Sequence, residues 1–144
     1  MRNKNSSLLK ILIFYYGLIQ FAHLIALIIS AWQYHAQGTL SMLAPPPSGG
    51  WSQQATFFLI GLGAADALVA LISVAFTVGY TFKISGTISL GRICLTASLF
   101  SALIFTLGTL PTGAWGENPL PYISMVILFT PVIALFFLLP DWIQ

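Results

Sequence analysis

The chain has 144 residues, of which 58% are hydrophobic and only 6% are charged, with five Lys and Arg against three Asp and Glu. Soluble domains carry about 25% charged residues, so this composition cannot provide a water-exposed surface and predicts an integral membrane protein. The formal net charge of +2 is too small for a nucleic-acid groove, and one cysteine with two histidines cannot form the usual four-ligand zinc site. We therefore predict no nucleic-acid partner, no metal site and, on the main interpretation, no cofactor.

Four apolar stretches follow one another along the chain, each near the roughly 20 residues that a helix needs to cross a hydrocarbon core of about 30 Å. We predict transmembrane helices over residues 8–31, 55–80, 87–108 and 120–140. The outer loop 32–54 contains consecutive prolines and cannot continue a helix, whereas the other connections are short. Because short connections join antiparallel neighbours, we predict a single all-α transmembrane domain over 1–144, an up-down antiparallel four-helix bundle.

The basic residues predict the orientation of these helices, because cytoplasmic flanks retain Lys and Arg. If the helices alternate, every Lys and Arg falls on one side, and the opposite loops carry only the charge of Glu117. We predict cytoplasmic termini and a location in the plasma (inner) membrane. The predicted interfacial anchors are basic and aromatic residues near the helix ends: Lys10, Lys83, Arg92, Trp32, Trp51, Trp115 and Trp142. We also expect Tyr122 at the outer interface.

Asp66 interrupts the apolar run GLGAADALVAL at residues 61–71. If the second helix enters from the outer face near residue 55, Asp66 lies about 16 Å deep, close to the bilayer midplane. An ionised side chain there costs from about 3 to over 10 kcal/mol, so we expect the carboxyl group to be protonated, paired or hydrated. His23 is predicted at nearly the same depth, and the hydroxyls of Ser98 and Ser101 are alternative partners.

Polar residues recur at helical spacing on the first two predicted helices. One face of the first helix carries Tyr16, Gln20, His23 and Ser30, and one face of the second carries Gly63, Asp66, Ala70, Ser73 and Thr77. We predict that these faces meet in an intramembrane polar core of Tyr16, Gln20, His23, Asp66 and Ser73. Small residues four positions apart predict close helix packing: Gly61 with Ala65, Gly63 with Ala67, and Ala97 with Ser101.

The sequence contains no nucleophile and base pair, phosphate-binding loop or dinucleotide motif, so we do not expect an enzyme. The main prediction is a non-catalytic accessory or structural subunit, or an assembly factor, that packs in the lipid bilayer against larger membrane proteins or against itself. The first alternative is a small oligomeric proton-coupled transporter or channel that uses Asp66 and His23. The second is haem or pigment binding through His23.

Overall fold

A computed structural model describes residues 2–40 and 44–139, with side chains described from residue 7 onward. Within these residues every regular element is a helix, and four helices are long and apolar enough to cross a membrane. The prediction of an all-helical chain with four such helices is confirmed. The elements in chain order are α1 (Arg2–Gln37), α2 (Gln53–Thr81), α3 (Thr87–Thr109), a short 3-10 helix (Leu110–Thr112), α4 (Ala114–Glu117) and α5 (Pro119–Leu138).

The boundary prediction is least accurate for α1, which runs from residue 2 to 37 rather than from 8 to 31. Its polar flanks contain neither proline nor glycine, so loss of hydrophobicity alone does not stop the helix. It ends before Gly38, whose φ of 68° lies in the left-handed region that glycine adopts readily. α2 begins after the N-cap Ser52, whose Oγ accepts a hydrogen bond from the backbone N–H of Ala55 at 3.2 Å.

The turn after α2 is a Schellman motif. The backbone N–H of Ile84 donates to the carbonyl of Gly79 at 2.9 Å, and that of Lys83 donates to the carbonyl of Tyr80 at 3.2 Å. Lys83 holds a φ of 57° at the position where glycine is most common. A left-handed conformation is unfavourable for a lysine, so the turn places this cation at some cost in conformational energy.

The four long helices contact one another in a ring, in which α1 and α3 each pack against α2 and α5. Between α1 and α2, and between α2 and α3, the contacting residues run in opposite order: as the residue number rises in one helix, it falls in the other. The contacting pairs are Tyr16 with Ser73 and His23 with Asp66 for α1 and α2, and Phe58 with Gly108, Asp66 with Ser101 and Phe76 with Gly91 for α2 and α3. This register decides which polar side chains come together in the interior.

The hydrophobic core lies toward one end of the bundle, which we call the basic end because Lys10, Lys83 and Arg92 also lie there. Away from the core, large apolar side chains face outward: Phe14, Leu68, Phe100 and Ile127 are each more than 60% exposed. The core residues are Ile13, Tyr16, Phe76, Cys94, Leu95, Val132, Leu135 and Leu139. Such an apolar exterior suits contact with lipid or with another apolar protein surface.

The other end, which we call the loop end, comprises residues 44–52 and 110–118. The triproline segment 45–47 is held there by the chain itself: the Tyr122 hydroxyl donates to the carbonyl of Pro45 at 2.9 Å, and the Asn118 amide donates to the carbonyl of Pro46 at 3.0 Å. Tyr122 is fully buried. The ring of Tyr122 therefore fills the space beneath the triproline segment, and its predicted interfacial depth stays a prediction.

Candidate functional site

Four polar side chains from three helices meet inside the bundle, and we call them the sealed cluster: Tyr16 and Gln20 of α1, Ser73 of α2 and Ser98 of α3. The Tyr16 hydroxyl lies 2.7 Å from Ser73 Oγ and 2.7 Å from Ser98 Oγ. The Gln20 side-chain amide donates to Ser98 Oγ at 3.2 Å. One tyrosine hydroxyl therefore joins α1 to both α2 and α3.

The hydrogen bonds of the sealed cluster run in one direction. Ser73 donates its single hydroxyl proton to the carbonyl of Val69 at 2.7 Å, so it accepts from Tyr16. Tyr16 has then used its proton and accepts from Ser98, which in turn accepts from Gln20. Each group thus donates a hydrogen bond to the next in the order Gln20, Ser98, Tyr16, Ser73 and the Val69 carbonyl; we call this the proton order of the cluster. Bonds in such a chain polarise one another, so each strengthens the next.

The sealed cluster is almost fully shielded from the surroundings. Tyr16 and Ser73 are 0% exposed, Ser98 is 4% exposed and Gln20 is 5% exposed. A buried hydroxyl or amide without a partner costs about 1–3 kcal/mol, so separating these helices inside a bilayer would expose several unsatisfied groups at once. The cluster consequently holds α1, α2 and α3 in one register.

A second polar group, which we call the open pair, consists of Asp66 of α2 and His23 of α1. His23 Nε2 lies 3.7 Å from Asp66 Oδ2, and Ser101 of α3 donates its hydroxyl proton to Asp66 Oδ1. The side chains of His23 and Asp66 remain 33% and 20% exposed. Unlike the sealed cluster, the pair reaches the flank of the bundle, where lipid, water or another protein can contact it.

The sealed cluster and the open pair occupy adjacent layers of the same interface. Gln20 and His23 are three residues apart on α1, and Ser98 and Ser101 are three residues apart on α3, a step of about 4.5 Å along a helix axis. The structure thus brings all five predicted core residues to the α1, α2 and α3 interface, but in two groups of different exposure. The predicted seam continues to Ser30, whose buried hydroxyl has no hydrogen-bond partner among the described residues.

The three predicted small-residue pairs lie in different surroundings. Gly63 faces Leu27 of α1, and Ala67 beside it is half-buried. In α3, Ala97 is half-buried and Ser101 binds Asp66. Gly61 and Ala65 are exposed, and a Cβ added to Gly61 would meet no described atom within 4 Å. The outer side of Gly61 is therefore open among the described residues.

The predicted basic anchors separate into two kinds. Lys10 and Lys83 are exposed and line the same groove at the basic end. Arg92 instead turns toward the protein, where its Nη2 donates to the carbonyl of Leu139 at 2.7 Å. Leu139 is the C-cap of α5, so the guanidinium satisfies a helix-terminal carbonyl and links α3 to α5.

The tryptophans predicted at the interfaces also differ. Trp32 is 65% exposed on α1. Trp51 is half-buried and donates to the carbonyl of Leu40 at 3.1 Å. Trp115 donates to Thr109 Oγ1 at 2.9 Å and stacks on Tyr122 with ring centroids 4.7 Å apart, so it packs against the bundle rather than standing free at its edge. Trp142 lies outside the described residues.

The histidines bear on the haem or pigment alternative. The Nε2 atom of His23, which would ligate an iron or magnesium, faces Asp66. His35 is exposed and lies twelve residues further along the same helix, about 18 Å away, so the two imidazoles do not face one another. No group of three metal-ligating side chains occurs within residues 2–40 and 44–139. A visible absorption spectrum of the protein purified from its own membrane tests this alternative directly.

Sequence reasoning missed two features of these sites. It considered Ser98 only as a partner for Asp66, whereas Ser98 binds Tyr16 and Gln20, and Ser101 binds Asp66. The sequence also does not indicate which residues bind the outer loop, whose Ser48 backbone N–H donates to the Glu117 carboxylate at 2.5 Å. A pair of serines three residues apart signals a polar helix face, but the sequence does not specify which serine meets which partner.

Comparison with known proteins finds no matching family model, no matching curated protein and no matching solved structure.

Proposed function

We propose that this chain is a small multi-pass membrane protein that serves as a non-catalytic accessory or structural subunit, or as an assembly factor, of a larger membrane complex. The observation that carries the proposal is the sealed cluster. Its polar side chains are used in fixing α1, α2 and α3 relative to one another, and they are buried too deeply to meet a substrate. A rigid module with an apolar outer surface suits a subunit that presents fixed helix faces to its neighbours.

We further propose that the four long helices cross the plasma (inner) membrane as an up-down antiparallel bundle with both termini cytoplasmic. The reversed order of contacts between successive helices supports the antiparallel arrangement. The grouping of Lys10 and Lys83 at one end supports the orientation, because cytoplasmic flanks are rich in basic residues. Reaction of a membrane-impermeant thiol reagent with Ser85→Cys or Ser48→Cys, each in a Cys94→Ala background, tests it: only Ser48→Cys should react from outside intact cells.

Site-specific photo-crosslinking in the native membrane tests the accessory role. A photoreactive side chain is placed at one outward-facing position on each long helix, and the buried position Leu95 serves as the matched negative control. A subunit of a complex should give a protein adduct of defined mass from one face or two neighbouring faces. The outward-facing positions are Phe14, Leu68, Phe100 and Ile127.

The outcome distinguishes the main proposal from its alternatives. A heterologous adduct confined to particular faces, unchanged by Asp66→Asn, supports the accessory role. Only lipid adducts at all four positions, or only adducts between copies of this chain, would contradict it.

Proton-coupled transport is a second candidate, and the open pair is the observation that favours it. A carboxyl group and an imidazole 3.7 Å apart can exchange a proton through one bridging water or after a small side-chain rotation, and their partial exposure gives that proton access from the bundle flank. The test is proton flux into liposomes containing the purified protein under an imposed pH gradient. Transport requires that Asp66→Asn abolish the flux while Glu117→Gln, at the loop end, leaves it intact; absence of flux from the unaltered protein would end this alternative.

A further inference from the structure

A groove of about 610 Å³ opens at the basic end between α1 and the turn that joins α2 to α3. Lys10 reaches it from α1, and Lys83 reaches it from the turn. Among the described residues that line the groove these two are the only charged ones, and its walls include Ile13, Phe14 and Ile84. The groove therefore combines two cations with walls that are partly apolar and partly lined by hydroxyl-bearing side chains of threonine and tyrosine.

The apolar wall continues from the groove toward the middle of the bundle. A second concavity of about 440 Å³ shares Lys10 and Phe14 with the first and extends to Leu18. Residues 10, 14 and 18 are spaced by four, so they form one stripe along α1 about 12 Å long. Phe14 and Leu18 are 68% and 58% exposed, so the stripe is open to an acyl chain lying along it.

The position of the two lysines matches a membrane surface. Lys83 lies between the spans that end at Thr81 and begin at Thr87, and Lys10 lies one turn inside the span that begins at Ser7. The backbone of Lys83 also favours a role for its charge at the membrane surface. Glycine would adopt the left-handed φ of this position without strain, yet the chain carries a cation there.

We propose that this groove binds an anionic phospholipid. The phosphate group lies between the ammonium groups of Lys10 and Lys83, and one acyl chain follows Phe14 and Leu18 along α1. Two ammonium groups can each bind an oxygen of one lipid phosphate, whose single negative charge they attract. The apolar stripe below them has no use in binding a purely water-soluble ligand, but it suits an acyl chain. The proposal goes beyond the accessory role, since it requires no protein partner.

Native mass spectrometry of the full chain in mild detergent tests this inference, with phosphatidylglycerol as the probe and phosphatidylcholine of the same acyl chains as the zwitterionic control. Each lysine near an anionic surface contributes about 1 kcal/mol, which is about fivefold in affinity. We expect phosphatidylglycerol to bind at least about fivefold more tightly than phosphatidylcholine, and neutralising both lysines to weaken it by about 25-fold.

The variants are chosen so that charge, backbone and apolar wall are tested separately. Lys10→Gln and Lys83→Asn remove the charges, and asparagine tolerates the left-handed conformation. Lys10→Arg with Lys83→Arg preserves both charges and should retain binding. Phe14→Ala should weaken phosphatidylglycerol binding, whereas Phe57→Ala, at a similarly exposed phenylalanine of α2, should not.

Three results would overturn the inference. The first is equal binding of the two lipids by the unaltered protein. The second is undiminished phosphatidylglycerol binding by the doubly neutralised variant, with its folding verified by an unchanged thermal transition. The third is full displacement of the lipid by millimolar inorganic phosphate, which would make the groove a site for the phosphate group alone.

Discussion

The sealed cluster and the open pair are neighbouring polar layers of one helix interface, yet they differ in how completely the protein covers them. Tyr16 in the sealed cluster is 0% exposed and has two hydroxyl partners from different helices. His23 in the open pair is 33% exposed in its side chain and faces a single carboxylate. The first layer is complete within one chain, whereas the second still offers polar surface at the flank of the bundle.

The difference shows that polarity within a membrane helix has two uses. A buried hydroxyl whose partners all come from its own chain contributes to folding and register. An ionisable pair at the flank contributes less to folding, because a water molecule or a polar group of another protein can replace its partners when the helices separate. Mutations in the two layers should therefore have unequal effects on stability, and the following predictions test that inequality.

The largest effect is expected for Tyr16→Ala. The substitution removes a fully buried ring whose centroid lies 6.3 Å from the ring centroid of Phe76. It also breaks the hydrogen bonds from α1 to Ser73 and Ser98. We expect the free energy of unfolding to fall by about 3–5 kcal/mol, as for other buried aromatic truncations. Thermal unfolding in detergent measures it, with Phe14→Ala on the exposed face as control; equal losses from the two variants would contradict the distinction between the layers.

A smaller but clear loss is expected for Gly91→Ala. An added Cβ would lie 2.4 Å from a ring carbon of Phe76, which is fully buried and cannot move aside freely. Overpacking of this kind lowers the free energy of unfolding by about 1–3 kcal/mol. Gly61→Ala on the open face of α2 is the matched control and should be neutral or raise stability by up to about 1 kcal/mol, since alanine favours helix. The same denaturation experiment compares them, and a neutral Gly91→Ala would argue against this packing.

Ser98→Ala and Ser101→Ala form a matched pair one turn apart on α3. Ser98→Ala interrupts the proton order of the sealed cluster and leaves Gln20 without its described partner, so we expect a loss of about 1–2 kcal/mol. Ser101→Ala leaves Asp66 beside His23 and should cost about half as much. Urea or heat titration of both proteins ranks them; a reversed ranking would mean that the open pair is the stronger link.

The smallest change is expected for Asp66→Asn. Asparagine still accepts the hydrogen bond from Ser101, and only the attraction to His23 is lost. Because single polar contacts between membrane helices contribute about 0.6 kcal/mol on average, the free energy of unfolding should change by no more than about 1 kcal/mol. The reference is Asp66→Leu, which removes both interactions. A loss from Asp66→Asn as large as that from Tyr16→Ala would show that the open pair, too, is required for folding.

The number and kind of the long helices could be predicted from the sequence, because an apolar helix satisfies its backbone hydrogen bonds within one segment in a bilayer. The short 3-10 helix and α4 could not be. The bounds of α2, α3 and α5 fall within two residues of the predicted ones, whereas α1 extends well beyond its apolar run. Hydrophobicity reports the bilayer thickness, but a helix ends where its backbone is interrupted, here at Gly38.

That Tyr16, Gln20 and His23 share one face of α1, and Asp66 and Ser73 one face of α2, could be predicted, because residues three, four and seven apart share a helix face. The division into two layers could not be predicted. Whether Ser98 or Ser101 meets Asp66 depends on how far α3 slides along α2, and neighbouring registers differ by one turn with similar apolar contacts. The packing of Tyr122 beneath the triproline segment could not be predicted either, because it depends on how the loops fold back onto the helix ends.

By itself, the sequence of this chain determined two properties: the apolar environment that its helices require and the helix faces that carry polar groups. The first follows from composition and the second from helical periodicity, and both can be read without knowing the fold. Only the tertiary structure decided that Tyr16 would be sealed between two serines while Asp66 and His23 reach the flank, and that Lys10 and Lys83 would share one groove. These outcomes are set by helix register and loop closure, which arise from packing between segments far apart in the chain.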